Sequence, residues 1–335
     1  MSEYKVLEEL EKAYKLFRQG KFKEAVQLYK ELITNNPDLA RSGININLAH
    51  SIILSTDWSD VSQNLPPGIN YPESSGWINS LMTGLPINYD SKPIPWYTYP
   101  AIEFIENKIA SDFQVFEYGS GQSTLWWAER VLKVISIESN RNWFSDLQEK
   151  IPNNVELSLS ENEEEYAANI NRYQNNYFDV IVIDGINRNR CVELSLSKLK
   201  ETGFIIFDNT DDYQYDLGVR LLELKGYKRI DFYGMIPGYT YKNCTSVFFK
   251  DSKVLDRGGL PSEKESCLGL SCFQVTSPRP KNNCMLKESN IAECQAKFNL
   301  SYHVSFARIC QDLVGFEGKD VLEVGGSLPP EFVFD

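Results

Sequence analysis

Residues 113–124, Phe-Gln-Val-Phe-Glu-Tyr-Gly-Ser-Gly-Gln-Ser-Thr, limit the fold more than any other stretch of the chain. A run of strand-forming residues stops at Gly119 and Gly121, and a helix-compatible segment from Gln122 to Arg130 follows at once. Glycines let a backbone turn sharply and come close to a ligand. The free N–H groups of the next helix then face the same crevice. The second strand, Lys133-Val-Ile-Ser-Ile-Glu138, ends in an acid 21 residues after Glu117. An acid at that tip is where a doubly wound sheet grips the two hydroxyls of a ribose. The segment reads as the opening of a nucleoside-binding α/β domain.

A dinucleotide site uses G-x-G-x-x-G, with a pyrophosphate over the turn. Here the register is Glu117-x-Gly119-x-Gly121, and Thr124 stands in the third glycine's place. An acid just before the turn suits a ligand carrying an ammonium group and repels a pyrophosphate. On these residues the chain resembles the class I S-adenosylmethionine-dependent methyltransferases. Glu117-Tyr-Gly-Ser-Gly is similar to their first motif and Ile137-Glu138 to their second. Tyr177-Phe-Asp-Val-Ile-Val-Ile-Asp184-Gly resembles strand 4, and Gly203-Phe-Ile-Ile-Phe-Asp208-Asn209 resembles strand 5. The resemblance runs over residues 96–250. It implies an α/β fold: a doubly wound, Rossmann-like sheet of seven strands whose last hairpin is antiparallel, behind an N-terminal α-helical hairpin.

The same resemblance implies S-adenosylmethionine as cofactor. Backbone at Gly119, Ser120 and Gly121 would approach its amino acid moiety, and Glu117 would anchor its ammonium directly or through water. Glu138 would take the ribose hydroxyls. Ser123 and Thr124 either cap the helix start, donate to the ligand carboxylate, or do both. Glu161 or Asn162, after the third strand at Val155–Leu159, is the expected adenine contact.

Residues 100–250 hold no histidine, so no His general base is available there. Asp184 and the Asp208-Asn209 pair should project into one crevice at the carboxyl edge of the sheet. This set resembles the metal ligands of the cation-dependent O-methyltransferases, which implies Mg²⁺ on Asp184, Asp208 and Asn209, lowering an acceptor hydroxyl's pKa. A strand-end turn is the plainer alternative for Asp208-Asn209. Those relatives carry a basic residue a few positions after the strand 4 acid. Here Arg188 stands in that stretch, a poor proton acceptor. Asp184 and Arg188 are the expected catalytic pair, with Arg188 positioning an anionic substrate. The expected reaction is O-methylation of a small or carbohydrate-like, glycan-type acceptor. N-methylation stays open, because no Asn/Asp-Pro-Pro-Tyr motif follows strand 4. The rival is a non-catalytic interaction scaffold.

Length allows more than one unit. Residues 1–55 are a helical region. Apolar positions Leu7, Leu10, Ala13, Tyr14 and Phe17, then Ala25, Val26, Tyr29, Leu32 and Ile33, recur at helical spacing. Gly20, Phe22, Ala25, Tyr29, Leu32 and Pro37 resemble a tetratricopeptide repeat, which leaves either a protein-partner module or a hairpin packed on the catalytic domain. Residues 56–95 are a connector with a short helix near Trp77–Met82. Tyr97 and Tyr99 either line the pocket or simply pack. The loop Gly234–Lys242 either contacts substrate or is an ordinary hairpin connection. Residues 251–290 read as a linker. Gly318-Lys-Asp-Val-Leu-Glu-Val-Gly-Gly-Ser, within residues 291–335, resembles the start of a second methyltransferase domain cut short.

A formal charge of −12 and a pI near 4.9 argue against nucleic acid as partner. No apolar run approaches a membrane span, and a soluble cytoplasmic chain is expected. The late cysteines, Cys267, Cys272, Cys284 and Cys294, lack the tight C-x2-C spacing of structural zinc, and reduced thiols are expected.

Overall fold

The computed structural model describes residues 3–37, 39, 44–55, 71–259, 264, 266–272 and 274. The second methyltransferase-like start expected at 291–335 lies outside the described residues, as does the linker beyond residue 274.

Near-continuous apolar runs, buried on both faces, build the parallel part of the sheet. β1 (Gln114–Tyr118), β2 (Lys133–Glu138), β3 (Val155–Leu159), β4 (Phe178–Ile183), β5 (Leu199–Asp208), β6 (Lys228–Met235) and β7 (Lys242–Phe249) pair in the order β3-β2-β1-β4-β5-β7-β6. The first five run parallel, and β7 lies antiparallel to both β5 and β6. This is the expected doubly wound, Rossmann-like sheet with an antiparallel closing hairpin. Successive side chains point to opposite faces. Val115, Val134, Val180, Val182, Phe204 and Ile206 therefore pack on one face, with Trp126 and Trp127. Phe116, Tyr118, Ile135, Ile181, Ile183 and Phe207 pack on the other. β2 and β4 flank β1 on opposite sides, which opens a crevice at the carboxyl ends of these strands.

Helices α1 (Glu3–Arg18) and α2 (Phe22–Asn35) form the expected hairpin, and α3 (Ile44–Leu54) packs on α2. Their core is Ala13, Ala25, Tyr29, Leu32 and Ile44, whereas Leu7 and Tyr14 are exposed despite their helical spacing. Gly20 turns the chain at φ +73°. α4 (Tyr71–Ser74) and α5 (Trp77–Thr83) precede α6 (Tyr99–Glu106), which begins with Pro100 in its first turn. α7 (Gln122–Ala128), α8 (Arg141–Gln148), α9 (Glu163–Ala168), α10 (Arg188–Ser195) and α11 (Asp216–Leu224) complete the helices between the strands. α8 and α9 start at Asn140 and Asn162, whose side chains each accept from two amides of the first turn.

The first part of the expected linker is not a linker. Val254 and Leu268 are buried, the Lys108 ammonium donates to the carbonyls of Leu255 and Arg257, and Asn88 Nδ2 donates to the Cys267 carbonyl at 2.9 Å. The polar composition hid two apolar anchors and a set of main-chain hydrogen bonds. No helix among the described residues is long and apolar enough to cross a membrane.

Candidate functional site

The crevice holds a cavity of about 560 Å³, lined by the ends of β1, β2, β4 and β5 and by the β6–β7 loop. Gly119, Ser120, Gly121, Ser123, Glu138, Asp184, Asp208 and Asn209 all line it, so a single cavity gathers most of the residues expected from sequence.

Gly119 sits at φ +92°, and a Cβ there would lie 2.6 Å from the Asp184 carbonyl oxygen. Glycine is needed because the β1 turn runs against the end of β4. Gly121 is different: its φ of 174° is ordinary extended backbone, and a Cβ would meet Trp143 at 3.5 Å. The sharp turn expected of both glycines belongs to Gly119.

Glu138 ends β2 with its carboxylate at the cavity. Oε2 accepts from the Ser120 N–H at 2.9 Å, and Oε1 accepts from the Ser139 and Asn140 N–H groups at 2.8 Å. Three main-chain donors fix its orientation. Beneath the turn, Glu117 is fully buried and does not itself line the cavity. Its Oε2 accepts from Thr124 and from Ser136, the latter at 2.7 Å, while Oε1 makes no hydrogen bond. Burial raises its pKa to about 7, against the lowering effect of the Ser123, Thr124 and Ser136 hydroxyls. Ser136 is also 2.8 Å from the Ser120 hydroxyl, so a short hydrogen-bonded chain joins Glu117 to the cavity wall.

Thr124 is buried, accepts from the Gly121 N–H at 2.9 Å and donates to Glu117. It holds the turn to the strand and offers nothing to a ligand carboxylate. Glu161 pairs with Arg141 at the surface and Asn162 caps α9, and neither lines the cavity. Tyr97 and Tyr99 are core residues, whereas Trp96 between them and the connector reaches the cavity.

At the other end, α10 opens with Arg188, brought back over the strand tips by Asn187 in the left-handed region at φ 49°. The Arg188 guanidinium donates to the carbonyls of Gly185 (2.8 Å) and Asp208 (2.6 Å) and to Asn209 Oδ1 (3.1 Å), and pairs with Asp184 Oδ1 at 3.1 Å. Its plane lies over the Tyr215 ring at 4.8 Å. The Nε and Nη1 donors are all used within the protein, and Nη2 faces Asp184. Arg188, expected to position an anionic substrate, does not line the cavity, and most of its donors join β4 to β5.

The expected Mg²⁺ set is not shown. Asp184, Asp208 and Asn209 do converge, but the guanidinium already bridges Asp184 Oδ1 and Asn209 Oδ1, and Thr245 donates to Asp208 Oδ1. A divalent ion would compete with a permanent cation for two of these oxygens. Among the described residues, no group of three or more His, Cys, Asp or Glu side chains could hold a metal ion. Burial lifts the Asp184 pKa to about 6 although Arg188 opposes it, and it lifts Asp208 well above the usual carboxylate range, reinforced by Asp184.

Sequence reasoning missed two residues. Trp143 lines the cavity and donates its indole N–H to the Ser120 carbonyl at 2.6 Å, roofing the glycine turn. The Asn140 cap signal places it one turn into α8, on the crevice side. Gln122 lines the cavity with a buried Oε1 that has no hydrogen-bond partner, and no local signal marks it.

The arrangement defines a class of protein: a doubly wound α/β chain with a nucleoside-sized crevice at its strand tips. No family model and no curated protein matches the chain. Among solved structures it is similar to a precorrin-6y C5,15-methyltransferase from Geobacter metallireducens GS-15 (15% identity, 45% of this chain and 87% of that one, TM-score 0.38). It is also similar to a spermidine synthase from Thermotoga maritima (17% identity, 46% and 58% of the two chains, TM-score 0.37). A third similarity is to a Streptococcus mutans protein in complex with SAH (12% identity, 44% and 95%, TM-score 0.35). These are weak likenesses. The strand order already defines the fold, and the chemistry of the crevice has to come from its own residues.

Proposed function

We propose that the chain is an S-adenosylmethionine-dependent methyltransferase acting on a hydroxyl of a small or carbohydrate-like acceptor. The observation that carries this reading is a contrast inside one cavity. Glu138 presents an oriented carboxylate to it, while Gln122 Oε1, on the lining just after the glycine turn, is a buried acceptor without a hydrogen-bond partner. Buried polar atoms left unpaired cost stability until a ligand supplies the missing group. A ligand with a ribose diol at one end and an ammonium at the other meets both needs. The volume suits it too, since small-molecule sites span roughly 300–1,000 Å³.

When bound, S-adenosylmethionine supplies a methyl group on a sulfonium sulfur, which keeps the C–S electron pair as the acceptor oxygen forms the new C–O bond. The protein's part is placement and the proton. Asp184, with its pKa near 6, is largely ionised at neutral pH and takes the hydroxyl proton. Arg188 holds that carboxylate through Oδ1 and acts as a positioning residue. Burial and the neighbouring Asp184 both disfavour a second negative charge on Asp208.

Calorimetric titration with S-adenosylhomocysteine is the test, run with and without Mg²⁺. Micromolar binding is expected, independent of Mg²⁺. Glu138→Ala should weaken it by roughly a hundredfold, the loss of about 3 kcal/mol of charge-assisted hydrogen bonding. Absence of binding in the unsubstituted chain would end the methyltransferase reading.

A further inference from the structure

We infer that the acceptor is a neutral glycosyl chain, held in a second cavity that the N-terminal hairpin helps to wall. The inference rests on the methyl-transfer reading above. This second cavity, of about 820 Å³, lies between α1–α3, α5 and the β6–β7 loop. Trp96, Tyr239 and Tyr241 line both it and the crevice, so the two spaces meet at these three rings. Tyr14, Phe17 and Phe22 supply rings from the hairpin side.

The shared wall is built rather than incidental. Trp96 donates its indole N–H to the Pro237 carbonyl at 2.9 Å, and Trp77 donates to the Tyr239 carbonyl at 2.7 Å. Gly238, at φ +73°, lets the loop pass so close to α5 that a Cβ would sit 2.9 Å from the Ser80 carbonyl carbon. The Trp96 and Tyr239 rings lie 5.9 Å apart and the Tyr239 and Tyr241 rings 5.2 Å apart. Two indole anchors and a glycine contact hold a run of aromatic faces between the two cavities.

The chemistry of the lining selects the occupant. Aromatic faces beside neutral hydrogen-bonding groups, here Asn47 and Asn243 with the tyrosine hydroxyls, suit a ring with apolar C–H faces and a rim of hydroxyls. Arg18 is the one charged side chain on the described lining of the second cavity, whereas the crevice side carries Glu138, Asp184 and Asp208. A phosphorylated or carboxylated acceptor would meet those acids at the reacting end. A neutral sugar chain crosses from one space to the other without that cost and brings one hydroxyl to Asp184. The hairpin then serves as part of the acceptor site.

The full chain should be titrated with neutral trisaccharides (maltotriose, cellotriose and mannotriose) and with catechol as a phenolic comparator, following tryptophan fluorescence and heat. Each titration is run with and without S-adenosylhomocysteine, whose own affinity is measured in parallel. Tyr14, half-exposed on α1, can be substituted without disturbing the core. At least one trisaccharide is expected to bind. Tyr14→Ala should weaken it by about fivefold, as loss of one ring contact implies, with Tyr14→Phe restoring it and S-adenosylhomocysteine affinity unchanged throughout. Binding of catechol but no trisaccharide overturns the glycosyl assignment, as does binding of neither. Trisaccharide binding indifferent to Tyr14→Ala overturns the role of the hairpin. Failure of S-adenosylhomocysteine alone strikes the cofactor reading, and the sugar titration without it still judges the cavity.

Discussion

At the β1–β2 end of the crevice, Glu138 is held by three main-chain N–H groups. At the β4–β5 end, Asp184 and Asn209 share one guanidinium. Both ends gather acids at strand tips of the same sheet, yet they neutralise them differently. Backbone amides orient a carboxylate without cancelling its charge, and its remaining lone pairs stay available to hydroxyl donors. A buried arginine cancels charge and uses up acceptor positions at the same time. The first end therefore keeps an oriented carboxylate facing the crevice, whereas the second ties Asp184 and Asn209 to one guanidinium while both still line the cavity.

The largest effect should come from removing the cation. Arg188→Ala leaves Asp184 without its counter-ion and the Gly185 and Asp208 carbonyls without their donor, a loss of about 3–5 kcal/mol. Thermal or urea unfolding would show it. In the unsubstituted chain Mg²⁺ or a chelator should leave the melting temperature unchanged, and a marked Mg²⁺-dependent rise would reinstate the metal site.

Next comes the seam between the two ends. Gly119→Ala forces a left-handed φ on alanine and drives its Cβ into the Asp184 carbonyl, for about 2–4 kcal/mol. Gly121→Ala makes an ordinary contact with Trp143 and should cost much less. Equal losses, measured by urea midpoint, would mean that the seam does not set the turn.

The smallest effect is pH dependence. Burial raises Glu117 to about 7 and Asp184 to about 6, and it raises Asp208 as well, all above the unfolded carboxylate range. The folded chain thus binds more protons than the unfolded chain between about pH 4 and pH 7. The stability these groups contribute is present at low pH and is lost as pH rises through that window, at most about 1 kcal/mol per pH unit and on the order of 3 kcal/mol in all for Glu117. Glu117→Gln should flatten the slope, and an unchanged slope would place the titration at the other end of the crevice.

Strands β1 to β5, their order of appearance and the acid at the tip of β2 were legible because each is a local pattern: an apolar run, a turn residue, an acid at a fixed offset. Glu138 and Gly119 lie where that pattern puts them. Arg188 did not, since one guanidinium meeting Gly185, Asp208 and Asn209 depends on how β4 and β5 lie side by side. Trp143 and Gln122 escaped for a similar reason: what they face is set by the crevice. The described residues 251–259 and 266–272 were misread because polar composition does not register two anchors such as Val254 and Leu268.

The sequence by itself determined the doubly wound sheet, the glycine turn, the hairpin at the front and the set of acids at the strand tips, because short-range periodicity and turn chemistry encode them. The tertiary structure decided which acids stay available, since that depends on donors brought from distant positions. It alone placed Tyr14 and Phe17 of α1 on the same cavity as Trp96 and Tyr239. No spacing rule spans the more than 200 residues between α1 and the β6–β7 loop; packing does.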